Sequence, residues 1–201
     1  MATTIKAWRL FGLLAVAESA AICLGLPHAD FHSVPGTEFI IVYAVVCALP
    51  CLLVAFTASS LVVLWPSRTT RWILANRRYI GLAFAFGMAW HFAFVTYFMA
   101  SFGDRLRWFD LTFDIIGACF LVAMTLTSFR RFSRYLSLTN WRRLHKTGIY
   151  ILWLLPTYFF LDDYVERRQL YYFVLFGVLL AAGSLRVLAW RRRPLMARTG
   201  A

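Results

Sequence analysis

The chain has 201 residues, 61% of them apolar and 18% aromatic, with a mean hydropathy of +0.67 and a formal net charge of +12. A soluble domain of this size cannot hide so much apolar surface, so the composition excludes that class and indicates an integral membrane protein. The length accommodates about six helices of roughly 20 residues each, and a soluble domain that processes a nucleotide or substrate is therefore expected on another polypeptide.

The positive charge raises nucleic acid as a partner, but its placement argues against it. The basic residues fall in short clusters between apolar runs, where lipid headgroups and the positive-inside rule account for them. Six runs stand out, at about 8–26, 38–65, 79–102, 108–129, 144–161 and 170–190. Each is long enough to cross roughly 30 Å of hydrocarbon at about 1.5 Å per residue. Backbone groups cannot stay unpaired in lipid and β-barrel alternation is absent, so the runs are predicted to be helices. The expected fold is all-α: one integral membrane domain, a six-helix bundle with the lipid bilayer as its first partner.

The first run, from Trp8, is too long for the core of a signal peptide and ends in Pro27-His28 without a small-residue cleavage site, so it is expected to be the first crossing. Glu18 lies near its middle. His28 and His32 follow in an outer loop, read as solvated polar residues with an outer metal site as the alternative. Pro50 in the second run and Pro156 in the fifth are expected to kink their helices. The four cysteines all lie inside apolar runs, Cys47 and Cys51 on one helix face, and no CxxC pair is present. They read as small buried apolar groups. Between the second and third runs, Trp72, Ile73 and Leu74 sit among arginines, so 67–76 is expected as a short amphipathic piece on the inner surface. Asp110 and Asp114 fall in the fourth run, Asp110 at the interface and Asp114 in the outer half; Glu18 and Asp114 are read as bundle hydrogen-bond partners or proton-relay groups.

Orientation follows from the loops. Of the 21 lysines and arginines, all but Arg105, Arg107, Arg167 and Arg168 fall at the N-terminus, the second and fourth loops or the C-terminal end. Asp30, Glu38, Asp104, Asp162, Asp163 and Glu166 fall on the other side. Both termini are therefore expected in the cytoplasm.

The chemistry rests on two histidines. His91 and His145 lie inside the third and fifth runs, and an ionisable group inside a membrane helix is costly enough to be a functional candidate by default. The plainer reading is a neutral histidine hydrogen-bonded to a neighbouring helix. Neutral imidazole also binds haem iron well. Gly87, four residues before His91, and Gly148, three after His145, each remove a side chain from the ligand's own face, where a flat macrocycle needs space. Phe84, Met88 and Phe94 flank His91. Arg77, Arg78, Arg142 and Arg143 stand at the inner ends of these helices and can pair with haem propionates or anchor to headgroups. No Ser-His-Asp set, phosphate-binding glycine loop or paired acid/base carboxylates occur.

The run Arg77-Arg78-x-x-Gly81-Leu82 followed by His91, then Trp141-x-x-Leu144-His145, Tyr150 and Pro156, resembles the bacterial ferric-reductase-like transmembrane family. Within it the pattern is most similar to the haem-binding membrane subunits of periplasmic methionine sulfoxide reductase systems. The motifs cover about 77–161. The resemblance implies a multi-pass protein of the bacterial inner membrane with haem b, one or two per chain. It implies electrons arriving from a cytoplasmic flavin or nicotinamide reductase, FMN or a quinol, and leaving to a periplasmic acceptor or partner enzyme. The family commonly has a second histidine thirteen residues after the position of His145; here that position is Tyr158. His91 lies deep in its run and His145 near the inner end of its own, an offset of roughly 16 Å along parallel helices, so one iron cannot take both. Three arrangements remain: His91 holds an outer haem with Tyr158 or alone, His145 holds an inner haem or ligand alone, or full haem binding has been lost. The competing expectation is a cofactor-free scaffold or small transporter.

Overall fold

A computed structural model describes residues 7–103 and 107–199, with side chains described through residue 192. Lys6, Asp104 and Arg105, which entered the charge count, lie outside the described residues, as do the side chains of Arg193 and Arg198. Every described element is helical: α1 (Ala7–Gly25), continued by a 3-10 turn at Leu26–His28, α2 (Val34–Leu64), α3 (Arg68–Phe102), α4 (Trp108–Thr127), α5 (Arg130–Ser133), α6 (Leu138–Arg167) and α7 (Leu170–Thr199). No strand occurs among the described residues.

Among the described residues, five stretches are long and apolar enough to cross a membrane: Ala7–His28, Val34–Leu64, Arg68–Phe102, Trp108–Thr127 and Leu170–Arg192. Large apolar side chains such as Val16, Leu24, Val122 and Leu188 are exposed on these helices, which suits a lipid surround. The chain is a multi-pass membrane protein. α6 has the length at 30 residues but is not among the five. Its uncharged stretch, Thr147 to Leu161, is bounded by Lys146 and Asp162 and diluted by tyrosines, Trp153 and Pro156.

Four of the helices are longer than the runs implied, α2 by only a few residues at its start. α3 begins at Arg68 rather than near Tyr79, because Ser67 and Thr70 cap each other's amides: the Ser67 amide donates to Thr70 Oγ1 at 3.0 Å and the Thr70 amide to Ser67 Oγ at 3.1 Å. The stretch 67–76 is therefore the start of α3 and not a separate surface piece. α6 starts at Leu138, where Ser137 accepts from the Asn140 amide at 3.2 Å. α7 runs to Thr199, past its apolar run. α2 and α6 continue through Pro50 and Pro156.

The chain forms two compact units, Met1–Leu52 with Arg78–Ala118, and Leu53–Arg77 with Cys119–Ala201. In the first, Ile22, Ile40, Ala44 and Phe94 form a buried core with Tyr43, Cys47 and Trp90 packed on it. Tyr43 donates its hydroxyl to the Ala21 carbonyl at 3.2 Å, and the Trp90 indole donates to Ser19 Oγ at 3.3 Å. In the second, Phe56 stacks on Trp153 with centroids 5.2 Å apart and meets Tyr150 edge-on at 5.8 Å. The Trp153 indole donates to the Leu179 carbonyl at 2.9 Å, tying α6 to α7.

Candidate functional site

In the first unit, the site is built on α3. His91 is buried at 5% exposure in the middle of the apolar stretch. Its Nδ1 lies 3.2 Å from the Ile41 carbonyl oxygen on α2. A carbonyl only accepts, so Nδ1 carries the proton. That leaves Nε2 with its lone pair in the neutral ring, and Nε2 is buried without a hydrogen-bond partner. The Asp114 carboxylate on α4 faces it, with Oδ1 3.5 Å away. Phe92 abuts the ring edge-on at 5.0 Å.

One turn before His91, Gly87 is a point of close approach. A Cβ there would sit 2.8 Å from Ala48 Cβ and 3.0 Å from Glu18 Oε2. The space that sequence reasoning assigned to a macrocycle is filled by neighbouring helices. Glu18 itself is 5% exposed, and neither carboxyl oxygen has a hydrogen-bond partner among the described residues. Phe84 and Phe94 are buried and Met88 is half-buried; Phe94 belongs to the core cluster, stacked on Trp90 at 6.1 Å.

In the second unit, His145 is half-buried on α6 and is engaged at the nitrogen a metal would use. Its Nε2 is 3.1 Å from Thr127 Oγ1, and its ring lies against Trp141 with centroids 4.3 Å apart. The Trp141 indole donates to the Thr127 carbonyl at 3.0 Å, which holds the three residues as one group. A Cβ at Gly148 would run into Met124 Sδ and Phe120, so this glycine too admits a neighbour. Tyr158 is exposed on the same helix.

The arginines differ in exposure. Arg77 is half-buried in the second unit; Arg78 is exposed in the first, its guanidinium 5.5 Å from the Tyr79 ring. Arg142 and Arg143 are exposed on α6. Arg186 on α7, counted above only for topology, is half-buried and engaged by several groups. It donates to the Phe56 carbonyl at 3.0 Å, and its guanidinium carbon lies 4.5 Å from the centroids of both Phe56 and Tyr150. Its place inside the run 170–190 was the available signal.

Of the two embedded histidines, only His91 keeps a buried ring nitrogen that is not committed to a hydrogen bond among the described residues. His91 has the arrangement a ligating imidazole needs, with Nδ1 locked by a carbonyl and Nε2 buried and unsatisfied. His145 is committed to Thr127. Among the described residues no three His, Cys, Asp or Glu side chains converge as a metal-ion cluster. No family model, curated protein or solved structure matches the chain.

Proposed function

We propose that the chain is a haem b protein of the bacterial inner membrane that carries electrons from a cytoplasmic flavin or nicotinamide reductase, or a quinol, to a periplasmic acceptor or partner enzyme. α6 serves as a sixth crossing, and both termini lie in the cytoplasm. The observation that carries the reading is the His91 Nε2 atom, buried, without a hydrogen bond among the described residues, in a ring oriented by the Ile41 carbonyl. A bound haem would supply one-electron chemistry. The chain's own part is to fix the imidazole tautomer through Ile41, to keep water away with Phe92 and the neighbouring core, and to hold the ring at one angle. An anaerobic dithionite-minus-air spectrum of protein purified from haem-replete cells tests it. A b-type α band is expected; its absence overturns the reading.

A second reading, a cofactor-free transporter or scaffold, is favoured by one observation. Asp114 Oδ1 stands 3.5 Å from Nε2, where a proton shared between the two would occupy the lone pair that a metal needs. On that reading the same spectrum is featureless while the protein remains folded.

A further inference from the structure

Glu18 is used by neither reading, and it is the most demanding side chain in the first unit. It lies inside a membrane span, on α1, at 5% exposure. Among the described residues, neither carboxyl oxygen has a hydrogen-bond partner of good geometry. Around it are the Cys51 thiol on α2, with Cys47 one turn away, and the backbone of Gly87 on α3. The next residue, Ser19, is held by the Trp90 indole. None of these neighbours brings a positive charge. An ionised carboxylate cannot be kept in such surroundings, because desolvation without a countercharge costs far more than taking up a proton. A purely structural carboxyl would be expected to make hydrogen bonds of good geometry; among the described residues this one makes none, with only the weakly polar Cys51 thiol and the Gly87 backbone beside it.

We propose that Glu18 is a proton-binding site within the span, a neutral carboxylic acid that exchanges its proton with water. The step is the transfer of one proton from the carboxyl to a water molecule, leaving a carboxylate and a hydronium ion, and its reversal. Its structural consequence falls at Gly87, whose absent side chain lets the carboxyl lie against α3, with Ala48 alongside. A charge formed there can be relieved only by water or a cation entering between α1, α2 and α3, so proton loss and loosening of that contact go together. The inference does not depend on haem: a protein without a b-type spectrum would still carry it.

Infrared spectroscopy of the full chain in lipid vesicles at neutral pH tests the proposal. The wild type is expected to show a carboxylic-acid carbonyl band that Glu18→Gln lacks, and to shift that band within minutes of transfer to deuterated buffer. A difference spectrum with no acid band overturns the proposal, because the carboxyl is then ionised and paired. A band that stays unshifted for hours also overturns it, because the carboxyl is then a sealed structural group. Should Glu18→Gln fail to fold, carboxyl-labelled glutamate in a chain carrying Glu38→Gln and Glu166→Gln leaves Glu18 as the sole labelled side chain, and the same two outcomes decide.

Discussion

At the scale of single residues, the pattern is polar groups placed in an apolar stretch and then oriented by one strong contact. His91 is oriented by Ile41, and replacing it with Ala should lower bound haem to background; wild-type haem content in that variant would assign the ligand elsewhere. Arg186 is held more firmly than a topology charge requires. Losing a hydrogen bond from a charged donor costs about 1.5–3 kcal/mol and a cation–π contact about 0.5–2 kcal/mol. Arg186→Ala should therefore lower resistance to detergent denaturation by about 2–5 kcal/mol, and Arg186→Lys should recover only part of it, since an ammonium lacks the planar guanidinium that stacks on aromatic faces. A midpoint unchanged in both variants would mean that the guanidinium merely anchors to headgroups. Outside the spans, the Ser33 hydroxyl and the His32 amide hold the Asp30 carboxyl below the usual carboxylate range. A value lowered on folding means that the turn's contribution is fully present above the ordinary aspartate value of about 3.9 and is lost as pH falls through the lower, folded one. The Asp30 carboxyl resonance should titrate below the ordinary range in the wild type and move back toward it in Ser33→Ala. His91 and Glu18 were legible in the sequence because an ionisable residue in an apolar run is costly. Arg186 was not singled out because it was grouped with the arginines that follow it.

At the scale of the elements, hydrophobic runs mark where lipid begins but not where a helix does. The mutual cap of Ser67 and Thr70 starts α3 eleven residues before the apolar run at Tyr79, and Ser137 starts α6 six before the run at Leu144. Both caps are polar, so a scan for hydrophobic periodicity passes over them. Small residues then set how closely helices approach. Gly183 on α7 faces Trp153 on α6, and a Cβ there would come within 2.7 Å of Trp153 Cζ2. The ring cannot swing away freely, since its indole is bonded to the Leu179 carbonyl. Gly183→Ala should destabilise α6 against α7 by about 1–3 kcal/mol, read as a lower thermal midpoint and a changed Trp153 fluorescence. An unchanged midpoint would mean that the two helices separate at little cost. Gly87 and Gly148 behave in the same way, which is why reading them as clearance for a macrocycle was not matched by what surrounds them.

For the whole molecule, the question is whether α6 crosses. Its ends are charged in opposite senses, with Arg142, Arg143 and Lys146 at the start and Asp162, Asp163 and Glu166 near the finish. That is the arrangement of a helix whose first end faces the positive side. Six crossings put both termini on one side and five put them on opposite sides. Reporters fused to the N- and C-termini should both read cytoplasmic, and a C-terminal reporter that reads outside would remove α6 from the membrane.

Composition and the spacing of charges by themselves determined that this chain lives in lipid, that it is helical and that its polar chemistry is confined to a handful of embedded residues. This follows because the hydrophobic effect and the ban on unpaired backbone groups in lipid act on composition alone. Only the tertiary structure decided which of those residues remain available. His145 is taken by Thr127, the glycine spaces are taken by Glu18, Ala48, Met124 and Phe120, and His91 Nε2 and Glu18 are left without hydrogen bonds. Satisfaction of a buried polar group depends on which neighbour comes within about 3 Å, and that distance is set by packing between helices far apart in the chain.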